Sequence, residues 1–552
     1  MKVEFILSII ASVLLLSSAI KNTENANLLG SEGTYFVASF AQYRPTDDPN
    51  RFQIELVYIP SGKDNATVST SWYSLKNSSS VSYPYFAENG VVSMQQFSYS
   101  DIIDDSYAAT GSVAQIQDPR IIIISDKPIK VIARIYDIIT GRGDAYDLIS
   151  ENIVGNEYEV NLPRSNNDGF QIIHVFGSNL TSPDVQYIHF IDGVQLENGT
   201  ITLAQTLGAP QNVFTVPFDG SQHSYYFKGT SFFYITAAVT NVDIMYYTTG
   251  NSDGLGNKIF EYVAHQPVPL SPYDCKHLFN DPTDIRMTTI QNAVSVYMGA
   301  GALNCGNTFP LYTLNDNRNQ RSNGFGPDDS FAVPGTLGLV TDFNTTVGTT
   351  AFGIQVTHVQ APWARLGTMR DAHQKPSGLF IHYTPESTQF VTGDTTFYTF
   401  NDEDMIEVYG DNNVGTNEFL LDNQPVPIIN VKSIPITIFK QNFYAFTIVI
   451  PIGGLHTFSS RGRYVAYVMG RNVFGKAYLY GYTASYNTSK LTSYWAADPT
   501  TTTPISDVTS KKVTDGISMS TIAIMTTTSA STMSSSLILT LITAFVALII
   551  RN

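Results

Sequence analysis

Short stretches in which apolar side chains recur at every second residue limit this chain to a fold built from strands. The stretches lie at residues 51–60, 127–136, 158–162 and 464–469. In the first stretch, the side chains that share one side of an extended backbone are Phe52, Ile54, Leu56 and Tyr58. A period of two predicts half-buried antiparallel strands. Because turn residues separate the stretches, we predict an all-β fold of tandem antiparallel β-sandwich modules.

The composition supports strands and excludes one class of partner. Charged residues make up 14 % of the chain and aromatic residues 12 %, a balance that favours strands over helices. The 47 acidic side chains outnumber the 31 basic ones, which gives a formal net charge of -16. Phosphate binding requires clustered Lys and Arg, so we expect no nucleic-acid partner.

Turn-rich breaks at residues 164–169, 266–272 and 370–378 divide the chain. A length of 552 residues allows about three to four domains of roughly 100–200 residues each. We therefore predict β-sandwich module 1 at residues 20–165, β-sandwich module 2 at 166–272, a disulfide-bearing β module 3 at 273–375 and β-sandwich module 4 at 376–490.

Residues 1–19 have the pattern of a secretory signal peptide. Basic Lys2 precedes an apolar stretch at residues 5–16, and the small residues Ser17, Ser18 and Ala19 follow. We expect cleavage after Ala19. The alternative, an N-terminal membrane anchor, needs about 20 apolar residues, which is more than this stretch provides.

The C-terminal residues predict attachment to a membrane. Residues 491–536 are rich in Ser and Thr, and we expect a disordered, O-glycosylated stalk there. Residues 537–552 form a hydrophobic tail, which is typical of a GPI signal, with Ser529 as the expected attachment site. The spacer after Ser529 is short, so the alternative attachment sites are Gly516, Ser518 and Ser520. A membrane-spanning C-terminal helix is the alternative to the GPI anchor.

Six Asn-x-Ser/Thr sequons predict N-glycans on surface loops. They are Asn65, Asn77, Asn179, Asn198, Asn344 and Asn487. The two cysteines of the chain are Cys275 and Cys305. In an oxidising compartment they predict one disulfide, with two free thiols or an intermolecular bridge as alternatives.

Three short motifs stand out from the strand pattern. Residues 33–40 have a Gly-x-x-Phe character, and residues 123–131 read Ile-x-Ser-x-x-Pro-Ile-x-Val. Near the end, Gly454-Leu455-His456-Thr457 precedes residues 464–470 and then Tyr480-Gly481-Tyr482. Together these motifs resemble the N-terminal region of the IgG Fc-binding protein family over about residues 30–486. The resemblance implies an extracellular, non-catalytic, β-rich binding module, and it does not imply that the ligand is IgG.

Two common catalytic motifs are absent from the sequence. The nine histidines include no His-Glu-x-x-His pair, and the chain contains no P-loop. We therefore predict no enzymatic activity, no catalytic residue and no cofactor. His456 is expected to be a hydrogen-bonded turn or strand residue. Three acidic clusters are interpreted as solvated loops in preference to calcium sites, so no metal ligands are predicted: Asp101/Asp104/Asp105, Asp328/Asp329 and Asp402/Glu403/Asp404.

The tripeptide Arg142-Gly143-Asp144 follows a predicted strand and adjoins Gly141, so a hairpin turn is expected there. On an exposed tip it would present a guanidinium and a carboxylate to an integrin-like receptor. The favoured interpretation is a glycine turn flanked by solubilising charges, with receptor binding as the alternative.

Together these features predict a glycoprotein on the extracellular side of the cell membrane that binds an extracellular protein or glycan. Loops and exposed aromatic patches would supply the affinity. The alternatives are a surface-coat glycan hydrolase and a purely structural coat glycoprotein.

Overall fold

The computed structural model describes residues 30–487 of this chain, apart from several internal gaps. The gaps are residues 44–47, 108–110, 112, 167–168, 179, 192–193, 220, 222, 244–259, 271–283, 290–291, 299–306, 316–328, 334–338, 343–348, 357–362, 370–377, 412–413, 415–418, 428–430, 439–440, 471, 474–475 and 478. The predicted signal peptide, stalk and hydrophobic tail, with Ser529 and both cysteines, lie outside the described residues.

Strands fall into four groups along the chain, here called repeats 1 to 4. Repeat 1 contains β1 (Glu32–Ala38), β2 (Phe52–Pro60), β3 (Ala66–Ser74), β4 (Ser79–Ala87), β5 (Ser93–Ser98), helix α1 (Tyr99–Ile102), β6 (Val113–Ile116), β7 (Ile121–Asp137) and β8 (Gly143–Asp147). Repeat 2 contains β9 (Gly155–Asn161), β10 (Phe170–Gly177), β11 (Asp184–Ile191), β12 (Val194–Thr202), β13 (Gln211–Pro217), β14 (His223–Asp243) and β15 (Phe260–His265).

The second half of the chain continues the same grouping. Two 3-10 helices are also described, Pro49–Arg51 in repeat 1 and Ser387–Gln389 between repeats 3 and 4. Repeat 3 contains β16 (Asp284–Thr289), β17 (Ala293–Met298), β18 (Asn307–Asn315), β19 (Asp329–Val333), β20 (Leu339–Asp342), β21 (Thr349–Val356), β22 (Trp363–Gly367) and β23 (Phe380–Tyr383). Repeat 4 contains β24 (Val391–Thr399), β25 (Met405–Asp411), β26 (Leu420–Leu421), β27 (Gln424–Pro425), β28 (Val431–Ile438), β29 (Gln441–Val449), β30 (Gly454–Met469), β31 (Asn472–Val473), β32 (Lys476–Ala477) and β33 (Gly481–Ser485).

The four repeats share one strand order. In repeat 1 the long strand β7 pairs with β1 and β3 along its first part and with β2 and β8 along its second part. This gives two four-stranded halves, β1-β7-β3-β4 and β8-β7-β2-β5. Repeat 3 has the same halves with the long strand divided in two, β16-β21-β18-β19 and β23-β22-β17-β20. In repeats 2 and 4 the long strands β14 and β30 take the place of β7.

All these strand pairs are antiparallel, so the predicted all-β fold of antiparallel modules is confirmed. The limits of the sheets nevertheless differ from the predicted limits of the modules. Strand β9 lies before the predicted boundary at residue 165, yet it pairs with β14 of repeat 2. Strand β6 lies earlier still, and it pairs with β13 of the same sheet.

The predicted half-burial of the alternating strands is wrong, because both faces of these strands are covered. In β2, Leu56 and Tyr58 face the core of repeat 1, whereas Val57 and Ile59 pack on repeat 4. Strand β30 is likewise buried at every residue of 464–469. The second face is buried by a neighbouring repeat, and a local pattern of alternation does not reveal that contact.

Apolar clusters join each repeat to the next and close the set into a ring. The core of repeat 1 includes Tyr262 of repeat 2, and the core of repeat 2 includes Leu366 of repeat 3. Phe380 of repeat 3 packs with Met469 of repeat 4, while Val57 lies in the core of repeat 4. The short final strands meet inside this ring, where β8 and β23 each contact both β15 and β33.

A single carboxylate, that of Asp144 on β8, ties these four final strands together. One of its oxygens accepts hydrogen bonds from the backbone amides of Ala145 and Gly481, at 2.8 and 3.3 Å. The other accepts from Ala264 and Ile381, at 3.1 and 3.2 Å. Burial raises the pKa of Asp144, and the four amides oppose that rise because they bind an unprotonated oxygen. Asp144 is therefore the common acceptor for one strand from each repeat.

Candidate functional site

A cleft of about 490 Å³ opens where β3 ends in repeat 1, beside a loop of repeat 2. It combines aromatic rings with hydroxyl, amide and carboxylate groups, a mixture that suits a small polar ligand with apolar faces. Its lining residues are Pro49, Tyr73, Leu75, Ser78, Tyr99, Ser100, Ile103, Asp104, Asp105 and Gln117.

One carboxylate, that of Asp101, fixes helix α1 against the end of β3 beside the cleft. Asp101 accepts hydrogen bonds from the Trp72 indole at 3.2 Å and from the Ser74 hydroxyl at 2.5 Å. The amide of Lys76 donates to the same carboxylate at 3.3 Å, and the amide of Leu75 donates to the Asp101 carbonyl at 3.0 Å. Asp101 thereby joins β3, which carries Tyr73, to helix α1, which carries Tyr99, and both tyrosines line the cleft.

The loop of repeat 2 supports the Tyr73 ring. A Cβ at Gly208 would lie 2.7 Å from Tyr73 Cδ2, and Gly208 has φ +92°, so a side chain is excluded there on both counts. Gln117 Nε2 donates to the Gly208 carbonyl at 2.7 Å, and the Gly208 amide donates to Asp118 at the same distance. Tyr73 is therefore held in place from both repeats before any ligand arrives.

Two carboxylates give the cleft its charge. Burial acts to raise the pKa of Asp104, but hydrogen bonds from the Ser106 hydroxyl and from the amides of Gln117 and Ser106 outweigh it, so the pKa lies below its ordinary value. Asp105 beside it is exposed. The cleft is therefore acidic at neutral pH, which favours neutral or cationic ligands over anionic ones.

The sequons lie where glycans need space, as far as the described residues extend. Asn65, Asn77 and Asn198 are exposed, and Asn77 directly precedes the cleft residue Ser78. Asn487 is half-buried, with its amide donating to the Gln389 carbonyl at 2.7 Å. Asn179 and Asn344 lie outside the described residues. Glycosylation at these sites stays a prediction.

Arg142-Gly143-Asp144 is not an exposed turn, so the receptor-binding alternative is wrong and Asp144 is not a solubilising charge. Asp144 is 0 % exposed, and all the bonds described above point its carboxylate into the ring. A Cβ at Gly143 would lie 2.0 Å from the Ile135 carbonyl oxygen, so this glycine allows β8 to approach β7. Arg142 lies 3.7 Å from the buried Glu261 of repeat 2. The tripeptide thus begins an internal strand, because the final strand of each repeat lies at the centre of the ring.

Buried charged side chains of the described residues join repeats to one another. Arg365 of repeat 3 forms an ion pair with Glu407 of repeat 4 and stacks over the Tyr467 ring at 4.6 Å. Arg134 of repeat 1 lies 4.1 Å from the ring centroid of Phe400 in repeat 4, and it pairs with Glu55 at 3.4 Å. These charged groups therefore form contacts between repeats.

His456 is a hydrogen-bonded strand residue in β30, as predicted. Its Nδ1 lies 2.8 Å from Asp422, and its Nε2 lies 2.8 Å from the Ile452 carbonyl. This partner acid is not recognisable in the sequence, because Asp422 is brought to His456 only when β26 pairs with β30.

Two of the three acidic clusters lie within the described residues, and in these clusters Asp101 and Asp404 are hydrogen-bond acceptors within the fold, not solvated loop residues as predicted. Asp328 lies outside the described residues. Asp402 accepts from the Gly453 amide at 2.8 Å, and Asp404 accepts from the Tyr480 hydroxyl at 2.6 Å. Across the part of the chain that the structure describes, no three His, Cys, Asp or Glu side chains gather as a metal cage. Within the same residues, no helix has both the length and the apolar character to cross a bilayer.

Buried histidines give the fold a measurable dependence on pH. Burial lowers the pKa of His265 to about 3, whereas the unfolded chain takes up that proton near pH 6.5. The unfolded state therefore binds more protons below pH 6.5, and stability from this group is lost as the pH falls. Between pH 7.5 and pH 5, the wild-type chain should lose about 2 kcal/mol more unfolding free energy than His265→Leu, measured by urea unfolding.

Glu261 provides a control, because its contribution to stability changes with pH in the opposite direction to that of His265. Burial raises its pKa to about 8, so its contribution to stability is lost as the pH rises above the unfolded value. Glu261→Gln should therefore lose less stability than the wild-type chain between pH 5 and pH 7.5. If His265→Leu and the wild-type chain share one pH profile, His265 is not a buried neutral group.

No family model matches this chain, and no curated protein matches it either.

Proposed function

We propose that this chain is a membrane-tethered glycoprotein on the extracellular side of the cell, where it binds glycans or glycosylated proteins without catalysis. The observation that carries the proposal is the cleft beside β3, with an aromatic ring fixed from two repeats and polar groups around it. Sugar rings offer C–H faces to aromatic side chains and hydroxyl groups to carboxylate and amide groups.

The signal-peptide pattern, the sequons and the hydrophobic tail support the location. The resemblance to the N-terminal region of the IgG Fc-binding protein family supports a binding role for the whole β-rich part. The same resemblance implies a non-catalytic module.

The charge of the cleft specifies the ligand further. Asp104 and Asp105 line it, and the chain has a net charge of -16, so sialylated or sulfated glycans are repelled. Neutral glycans are the expected ligands.

A binding screen of residues 20–498 tests this function. The probes are mucin-type glycans, N-glycans and extracellular proteins, each with and without calcium, and each glycan before and after sialidase treatment. We expect saturable binding that becomes tighter after sialidase treatment and leaves the glycan intact. Release of sugar by the purified chain would indicate the hydrolase alternative, and a blank against every probe would indicate a structural coat protein.

A further inference from the structure

Four side chains form a continuous line at the outer edge of repeat 2. His189 on β11 lies directly opposite Glu197 on β12, and His223 begins β14. His223 Nε2 lies 3.0 and 3.1 Å from the two Asp219 oxygens, and His189 Nε2 lies 2.9 Å from His223 Nδ1. His189 Nδ1 lies 3.6 Å from Glu197 Oε1. We call this line the histidine chain.

The acids at the two ends determine where the protons lie. Burial acts to raise the pKa of Asp219, but the Ser221 amide and His223 bring it below its ordinary value, so Asp219 only accepts. His223 Nε2 must then carry a hydrogen. With one hydrogen per ring, His223 Nδ1 accepts from His189 Nε2, and the lone pair of His189 Nδ1 faces Glu197.

That nitrogen is buried, since the His189 side chain is only 3 % exposed, and it has no hydrogen-bond partner among the described residues. The Tyr225 ring stacks on the imidazole at 4.2 Å.

We propose that His189 Nδ1 and a Glu197 carboxylate oxygen form an open binding site for a divalent transition-metal ion of the zinc class. Two ligands at about 2.1 Å from a tetrahedral zinc ion lie about 3.4 Å apart, close to the separation in the structure. An imidazole ligand favours zinc over calcium or magnesium. Water fills the remaining positions, or a donor atom from an extracellular partner does.

The rest of the histidine chain has the arrangement that supports a metal-bound imidazole. A ligating histidine commonly donates its second N–H to an acceptor that fixes the ring and makes it more basic. Here His189 donates to His223, and His223 donates to the Asp219 carboxylate. Glu197 is 41 % exposed, which leaves the open side of the site accessible from solvent.

Calorimetric titration of the full chain with zinc at pH 7.5 tests this site, with the protein purified in detergent and treated with iodoacetamide so that Cys275 and Cys305 offer no thiolate. We expect one saturable zinc ion per chain, with affinity at least tenfold weaker in Glu197→Gln. The matched control is Asp184→Asn, an exposed carboxylate on the same pair of strands, which should bind zinc like the wild-type chain.

Thermal unfolding adds a second readout that also checks folding. Without zinc, Glu197→Gln should unfold at the same temperature as the wild-type chain, because the side chain is half-exposed. With zinc, the unfolding temperature should rise for the wild-type chain and for Asp184→Asn, and not for Glu197→Gln. Absence of saturable zinc binding, or equal binding by Glu197→Gln, would overturn the proposal.

Discussion

Replacing Asp144 by asparagine should lower the free energy of unfolding by about 3–5 kcal/mol. Asparagine has the same shape, but its NH₂ group cannot accept hydrogen bonds. Two of the four amides that converge on Asp144 would then face a donor instead of an acceptor, in a position with 0 % exposure. Because those amides belong to different repeats, the loss weakens the centre of the ring.

Urea unfolding followed by tryptophan fluorescence measures this effect. Asp184→Asn is the control, because the same chemical change at an exposed carboxylate should alter stability by less than about 0.5 kcal/mol. Equal midpoints for the two variants would show that the four final strands do not depend on the Asp144 carboxylate.

Arg120→Met should cost a similar amount, about 3–5 kcal/mol, at the contact between repeats 1 and 2. The Arg120 guanidinium pairs with Asp118 at 2.7 Å, and both side chains are 0 % exposed. The same group donates to four carbonyl oxygens, those of Gly177, Ala204, Gln205 and Thr206, at 3.0, 3.1, 3.3 and 2.8 Å. Methionine preserves much of the volume but leaves a buried charge and four carbonyl groups without these donors.

Arg120→Lys separates charge from geometry in this contact. Lysine keeps the positive charge, but its single ammonium cannot reach all the acceptors that the planar guanidinium reaches. The stability of Arg120→Lys should therefore lie between those of the wild-type chain and Arg120→Met. Arg463→Met is the control, since Arg463 is exposed and donates to one carbonyl, that of Ser387. If Arg120→Met is as stable as Arg463→Met, the contact between repeats 1 and 2 does not depend on this arginine.

The sequence predicted the class of fold because strand alternation and turn residues are local properties. It also predicted four modules, but the limits of the sheets lie elsewhere. Strand β9 precedes the turn at residues 164–169, yet its partner β14 begins at His223. Pairing across such a distance leaves no local sign. One signal in the sequence could have shown the repeats. Long strands followed by short ones recur along the chain, at β7, β14, β21–β22 and β30.

The candidate site was only partly visible in the sequence. The sequence shows Asp101, Asp104 and Asp105 as an acidic cluster, and the structure places Asp104 and Asp105 in the cleft lining, while Asp101 accepts a hydrogen bond from Trp72. Gly208 supports Tyr73 from another repeat, and that contact depends on how the repeats pack. The same packing buries Asp144, so a tripeptide that resembles an exposed turn in sequence became the centre of the ring.

The affinity of cleft variants for a neutral glycan tests the central claim most directly. Surface plasmon resonance against immobilised, sialidase-treated mucin glycans would compare residues 20–498 of the wild-type chain with the variants Tyr73→Ala and Asp105→Asn. Tyr83→Ala is the control, because it removes an aromatic side chain that is 54 % exposed and lies outside the cleft lining. We predict that Tyr73→Ala and Asp105→Asn each weaken binding at least tenfold and that Tyr83→Ala leaves it unchanged. Equal affinities for all four proteins would contradict a ligand site in this cleft.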